Sequence, residues 1–284
     1  MSEFEKLDIT PLVNGLERLA AISNRVEEGD YINDEDGLLY CGKCHTKKQT
    51  RIYLLGEERT PFCLCKCKAD EAEETRKREE LRKKVEKYQK MAFDDFEMLK
   101  WTFENDDGEN PTLTEALKKY VNNFSRFVKE GKGLLLHGNV GTGKSFAAVS
   151  VANALIKQGY PCRATDFSRI VRELNSTFDK KQEYLDEFNR YALLIIDDLG
   201  VERDSEYVRE IVWSVIDSRS RSGLPFIITT NLSIEAIKNP DSIEKERIYS
   251  RILGCCHPIY VGGRDRRKMR VRDEFTEMQD LLGL

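Results

Sequence analysis

The stretch "GNVGTGKS" sets Gly138, Gly143, Lys144 and Ser145 in the order G-x-x-x-x-G-K-[ST], directly after the apolar run "GLLLH" and at the start of an apolar helical pattern. That spacing suits the holding of a phosphate chain. The glycines let the backbone N–H groups of Asn139, Val140, Gly141 and Thr142 curl round phosphate oxygens, and the helix N-terminus adds its positive dipole. Lys144 is expected to reach the outer phosphates, and the Ser145 hydroxyl to ligate Mg²⁺. Downstream, "ALLIIDDLG" ends an apolar strand in two acids. Asp197 is expected to hold Mg²⁺ in its outer shell. Asp198, one residue further round the turn, reaches the attacking water as general base, which is chemistry for hydrolysis rather than transfer to a small acceptor. A third apolar run, "LPFIITTNLS", has a polar end offering Thr229, Thr230 and Asn231. Asn231 is expected to hold the attacking water or to sense the γ-phosphate through its amide.

A second kind of chemistry lies upstream. Five of the eight cysteines fall in "CGKCHTKKQTRIYLLGEERTPFCLCKC": Cys41, Cys44, Cys63, Cys65 and Cys67. A closed tetrahedral Zn²⁺ site takes four thiolates, so one is surplus. Such clustering in a chain whose start, "MSEFEKLDIT", is acidic with no apolar stretch behind it points to metal ligation in a reducing compartment rather than to disulfides. The segment has few apolar residues, and a structural Zn²⁺ supplies on the order of 10 kcal/mol or more of folding energy. Cys162, Cys255, Cys256 and the strand residue His137 read as ordinary interior or loop groups.

The elements that must position these groups follow from periodicity. From Gly133 onward, "GLLLH", "CRATD", "ALLIID", "PFIITT" and "PIYV" alternate with amphipathic stretches, which predicts an α/β domain with a mostly parallel sheet. A helix over residues 112–129, with Leu113, Leu117, Tyr120, Phe124 and Phe127 at helical spacing, is expected to cover one sheet face. Between the cysteines and this domain, "EAEETRKREELRKKVEKYQK" pairs acids with bases four residues on, as in Glu73/Lys77 and Glu86/Lys90, and reads as a solvated helical spacer over 71–92. Thr10 and Pro11 open a short helix with Leu12, Leu16 and Leu19 on one face, suited to packing on the cysteine module or to docking a partner. Residues 1–70 thus form one small module, and 93–284 the larger domain.

The 284 residues carry a net charge of -4, which excludes a chain that coats polyanions over its whole surface and leaves only a local patch for nucleic acid. The longest apolar runs are strand-length, well short of the ~20 residues of a membrane span. The expectation is a cytoplasmic protein with no membrane contact.

The phosphate loop, "IIDDLG" and Asn231, in this order and spacing, resemble the AAA+ ATPases of the bacterial helicase-loader type, the DnaC and DnaI group, with IstB-like transposition helpers as near relatives. The resemblance covers residues 93–284. It implies a P-loop AAA+ domain with a five-stranded parallel sheet, the Asn231 strand lying between the P-loop strand and the Asp197 strand. It also implies ATP as the nucleotide, sites shared between subunits, and self-association into a ring or spiral when ATP is bound. An arginine from the neighbouring subunit completes the site in that family. Here "KERIYSRILGCC" offers Arg247 and Arg251, of which Arg251 matches the finger position better, and arginine's planar fork suits transition-state oxygens. "YVGGRDRRKMRVR" places Arg267 near the second sensing arginine, with Arg266 as the rival register. An extra helix in "DFSRIVRELNS" faces single-stranded DNA in this clade, making Phe167, Arg169 and Arg172 expected contacts. Similarity to zinc-binding modules of Gram-positive-type loaders favours Cys41, Cys44, Cys65 and Cys67 as ligands, with Cys63 able to swap in and His45 a weaker alternative. The implied function is ATP-controlled loading of the replicative DNA helicase. The alternatives are an IstB-like transposition helper, whose kind usually lacks a cysteine module, and a metabolic P-loop enzyme.

Overall fold

The computed structural model describes residues 26–54, 56–176, 181–202 and 205–282. The expected helix bearing Leu12, Leu16 and Leu19 lies outside them. By internal contacts the described residues form two compact units that meet in sequence at Glu80 and Leu81.

The first unit is built from two short antiparallel ribbons. β1 (Tyr31–Ile32) pairs with β2 (Leu39–Tyr40), and β3 (Ile52–Leu54) with β4 (Glu57–Arg59). Its buried apolar side chains are few: Leu38, Leu39, Cys41 and Cys65. An ion pair replaces a larger core, with Lys48 Nζ 2.5 Å from Asp30 Oδ2 and both side chains all but inaccessible. A helix, α1 (Lys66–Ala92), runs from the cysteines into the second unit. Its exposed acids and bases pair at i, i+4 in both orders: Glu73 with Lys77, but also Arg76 with Glu80 and Arg82 with Glu86. Among α1's described side chains only Ala92 is fully buried, while Val85 and Tyr88 pack partly against the second unit's core.

The second unit is a five-stranded parallel sheet. Its strands are β5 (Gly133–His137), β6 (Cys162–Asp166), β7 (Leu193–Leu199), β8 (Phe226–Thr230) and β9 (Cys256–Tyr260), in spatial order β6-β7-β8-β5-β9. The Asn231 strand therefore lies between the P-loop strand and the Asp197 strand, as the resemblance implies. The central strands β7, β8 and β5 read as near-continuous apolar runs because both their faces are covered, while the edge strands β6 and β9 are more polar and partly exposed. Leu134, Leu136, Ile195 and Ile227 face one apolar cluster, while Leu135, Leu194, Ile196, Phe226 and Ile228 face the other. The first cluster is closed by α2 (Pro111–Asn122), α3 (Phe124–Glu130) and α4 (Lys144–Lys157). The second is closed by α5 (Phe167–Ser176), α6 (Lys181–Glu187), α7 (Glu206–Arg221), α8 (Ile234–Lys238) and α9 (Ile243–Cys255).

The single helix expected over 112–129 is two helices. Asn123 leaves helical geometry at φ -106° and ψ 16°, and its side-chain amide donates to the Lys119 carbonyl at 2.8 Å. Asparagine competes for backbone groups in this way and so ends helices readily. The apolar face survives the break, since Leu113, Leu117, Tyr120 and Phe124 are all buried against the sheet. A last helix, α10 (Arg266–Leu282), follows β9. No helix among the described residues is long and apolar enough to cross a membrane.

Candidate functional site

At the carboxyl end of β5 the chain turns through Gly138, Gly141 and Gly143 before α4 begins at Lys144. All three have a positive φ, at which any side chain would be strained. Gly138 has φ +148°, and a Cβ there would lie 2.3 Å from the Val261 carbonyl oxygen; at Gly143, φ +92°, it would lie 2.3 Å from the Arg266 guanidinium. The Thr142 hydroxyl donates to the Asn139 carbonyl at 2.9 Å and steadies the loop. No side chain caps the first turn of α4, so its N–H groups are left facing the loop, the arrangement that holds anions.

Lys144 is 5 % exposed, and its Nζ donates to the carbonyls of Gly138 and Asn139 at 2.9 and 2.6 Å and to Asn231 Oδ1 at 2.7 Å. Burial lowers its pKa, opposed by the charges of Asp198 and Asp197. One ammonium thus joins the loop after β5 to the residue that follows β8. Next door, Asp197 receives hydrogen bonds from the Thr229 and Ser145 hydroxyls. Burial pushes its carboxyl above the ordinary range, and those two hydroxyls pull it back. Asp198 adopts a left-handed backbone, φ +55°, and faces the same cleft.

That cleft, about 1070 Å³, is lined by Lys144, Ser145, Asp198 and Asn231 and by Arg264, Arg266 and Arg267. Arg266 Nε pairs with Asp107 Oδ2 at 3.0 Å, and its N–H bonds the Gly141 carbonyl at 2.9 Å. Arg267 is exposed, and its charge reaches Lys144. Both arginine registers therefore reach the cleft. Trp101, Asn105, Asp107 and Phe146 also line it, with Trp101 and Phe146 rings 6.1 Å apart. Sequence reasoning missed this wall. Its signal was the aromatic and polar segment "WTFENDDGEN", which has no helical or strand periodicity.

Five expected residues lie elsewhere. Arg251 is outside this chain's cleft, where its Nη2 sits 2.6 Å from Asp217 Oδ1 and its guanidinium lies 4.9 Å from the Trp213 ring centre. Arg247 is exposed on the same helix. Phe167 is a correction: at 2 % exposure it packs with Ile170 and Leu174 in the second core cluster, where no base can stack on it. Arg169 pairs with Asp94 at 2.5 Å, and Asp94 also takes both oxygens to Arg163 at 2.9 Å. Arg172 is exposed.

In the first unit, the sulfurs of Cys41, Cys44, Cys65 and Cys67 all lie within 4.8 Å of one another. The Cys41–Cys67 and Cys65–Cys67 separations are 3.7 and 3.4 Å. A tetrahedral Zn²⁺ with Zn–S bonds of ~2.3 Å sets sulfurs about 3.8 Å apart, so the set fits the metal. The second layer is built as well. Thr46 Oγ1 lies 3.1 Å from the Cys44 sulfur and accepts the Lys66 N–H at 2.8 Å, while Asp30 accepts the Gly42 N–H at 3.1 Å. The Thr46 hydroxyl draws the Cys44 thiol down, and the Cys65 sulfur pushes the Cys67 thiol up. Cys63 stands apart, its thiol directed at the Lys47 carbonyl 3.6 Å away, and His45 Nδ1 lies 3.3 Å from the Tyr31 hydroxyl.

The chain resembles proteins of two kinds. It is 28% identical over 200 residues to the replicative helicase loader DnaI of Bacillus subtilis (strain 168), covering 65% of this chain and 64% of that protein. It is 26% identical over 170 residues to an ATP-binding protein in an insertion sequence of Mycobacterium tuberculosis (strain ATCC 25618 / H37Rv), covering 57% and 66%. The chain thus spans somewhat less than two thirds of each relative's length. A crystal structure of DnaI superposes with a TM-score of 0.52 and 25% identity over 62% of this chain and 95% of that one, which fits the AAA+ arrangement of P-loop, acid strand and intervening Asn231 strand. The model of the IstB-like ATP binding protein family matches residues 70–274, the whole phosphate site included, and the chain belongs to that family.

Proposed function

We propose that this chain is an ATP-hydrolysing loader of the replicative DNA helicase. One observation carries the hydrolytic part: Lys144, Asp198 and Asn231 converge on one cleft from the ends of three adjacent strands, with Lys144 bonded to Asn231 and Asp197 beside them. Open parallel sheets bind ligands at the carboxyl ends of their strands. In this reading the loop N–H groups and Lys144 take the phosphates of ATP. Ser145 and Asp197 hold Mg²⁺, which neutralises charge developing on the phosphates. Asp198 takes the proton of the attacking water, Asn231 orients that water, and Arg267, with Arg266, balances the γ-phosphate charge. Arg251 acts on a neighbouring subunit's nucleotide, in a ring or spiral formed when ATP is bound. A metabolic P-loop enzyme leaves the pairing of Lys144 with Asn231 beside two acids without a shared explanation.

The loading part rests on the separate four-thiol unit and on the likeness to DnaI. Zn²⁺ on Cys41, Cys44, Cys65 and Cys67 would fold that unit into an adaptor for the helicase, while exposed basic groups such as Arg172 meet single-stranded DNA in the cytoplasm. The insertion-sequence relative favours a second reading, in which the same ATPase serves a transposase. Co-purification of the full-length chain with the replicative helicase of its host, with the transposase of a resident insertion element as comparison, decides between them. Recovery of the helicase supports the loader, and recovery of the transposase alone overturns it.

A further inference from the structure

A single hydroxyl joins Asp197 and Asp198 to the neighbouring strand. Thr229 is the penultimate residue of β8 and is fully buried. Its Oγ1 donates to Asp197 Oδ1 at 2.5 Å and accepts the backbone N–H of Asp198 at 2.9 Å. The donor and an acceptor site of one side chain are thereby used on consecutive residues of β7.

The register of the sheet explains why a hydroxyl is needed there. Ile196 pairs with Ile228, and the next pair is Leu199 with Thr230, so Asp197 and Asp198 together stand opposite Thr229 alone. This is a bulge, two residues against one, which takes an N–H out of the ladder and re-aims side chains. At its centre Asp198 turns to φ +55°. Successive strand residues point to opposite faces, and the left-handed turn breaks that alternation, so that Asp198 faces the cleft while Asp197 stays in hydrogen-bonding reach of Ser145. The orphaned Asp198 N–H would be costly if left unmade. Thr230 completes the seam, its hydroxyl donating to the Leu199 carbonyl at 2.7 Å. Valine has nearly the shape of threonine and favours strands, so packing alone does not call for the hydroxyl.

We propose that Thr229 is a positioning residue for ATP hydrolysis: its hydroxyl holds the bulge that gives Asp197 and Asp198 their separate directions. The proposal rests on the hydrolytic reading of this acid pair. Because Asn231 directly follows that strand, Thr229 also ties the segment beside Lys144 to the strand that carries the acids.

The test uses the full-length chain as wild type, Thr229→Val, Thr229→Ser and Asp198→Asn, with Thr229→Cys in reserve as a variant of similar shape and weak donor strength should the valine variant fail to fold. Thermal unfolding establishes that each is folded. A fluorescent ATP analogue reports binding with and without Mg²⁺. Thr229→Val is expected to bind the Mg²⁺-free analogue as wild type does, since the loop and Lys144 are untouched. It should need several-fold more Mg²⁺ to reach the same tightening, and its kcat should fall roughly ten- to a hundredfold with KM little changed, as removal of a group that orients a metal-site ligand does. Thr229→Ser should restore both. A valine variant that matches wild type in kcat and Mg²⁺ requirement overturns the proposal, as does a serine variant that falls as far as valine. A wild type as inert towards ATP as Asp198→Asn overturns the hydrolytic reading itself, whereas an active wild type matched by Thr229→Val overturns only the role of Thr229.

Discussion

Phe167 and Arg169 stand two residues apart, and the structure gives them different duties. Phe167 is interior, so Phe167→Ala should cost about 3–5 kcal/mol of stability through the cavity it leaves, read as a lowered thermal midpoint, without a change in salt dependence of nucleic-acid binding. The apolar spacing of Phe167, Ile170 and Leu174 was visible in the sequence; reading the aromatic as a base platform overrode a pattern that more simply marks a core face. Arg169's tie to Asp94 was not visible, because the two are far apart in sequence and only the fold brings them together. The residues of the phosphate site were legible for the opposite reason. Each sits at the end of an apolar strand, and phosphate chemistry allows few residue types at such spacing. What the sequence could not display at that site is the path of the backbone: the bulge opposite Thr229 and the left-handed Asp198 are register effects, and register is settled between strands rather than within one.

At the scale of elements, the three central strands follow the apolar runs closely, since a run buried on both faces leaves little freedom in its bounds. Helices were less legible. Asn123 splits one expected helix in two, and the i, i+4 pairs of α1 form in both orders because exposed long side chains choose among several partners at little energetic difference. In the cysteine unit the choice among five thiols was open from spacing alone; the fold gathers Cys41, Cys44, Cys65 and Cys67 and turns Cys63 towards the Lys47 carbonyl. With so few buried apolar side chains there, the metal is expected to hold the unit together. Freshly purified protein should carry about one Zn²⁺ per chain, and Cys41→Ser or prolonged chelation should unfold residues 26–80 while leaving ATP binding intact. Elemental analysis and nucleotide titration check the two halves of that statement, and zinc-free but folded protein would refute it.

Across the whole molecule, the placement of Arg251 outside its own chain's cleft, against Asp217 and Trp213, suits a group that serves another subunit. A Lys144→Ala chain mixed with an Arg251→Ala chain should then recover part of the ATPase activity that each lacks alone, because some mixed interfaces contain one intact site; no recovery in an assembly shown to be mixed would exclude action in trans. The long helix between the two units has a practical consequence of a different sort. Before Val85 none of its described side chains is buried, and it carries Lys or Arg at Lys66, Lys68, Arg76, Lys77, Arg78, Arg82, Lys83 and Lys84. Brief trypsin digestion of the native chain should therefore cut first within residues 66–84, and the larger product, retaining Val85 and Tyr88 against its core, should still bind ATP. If the first cuts fall inside the parallel sheet instead, the weakest seam of the chain lies somewhere other than this helix, and a limit digest will have drawn its working map before any function is assayed.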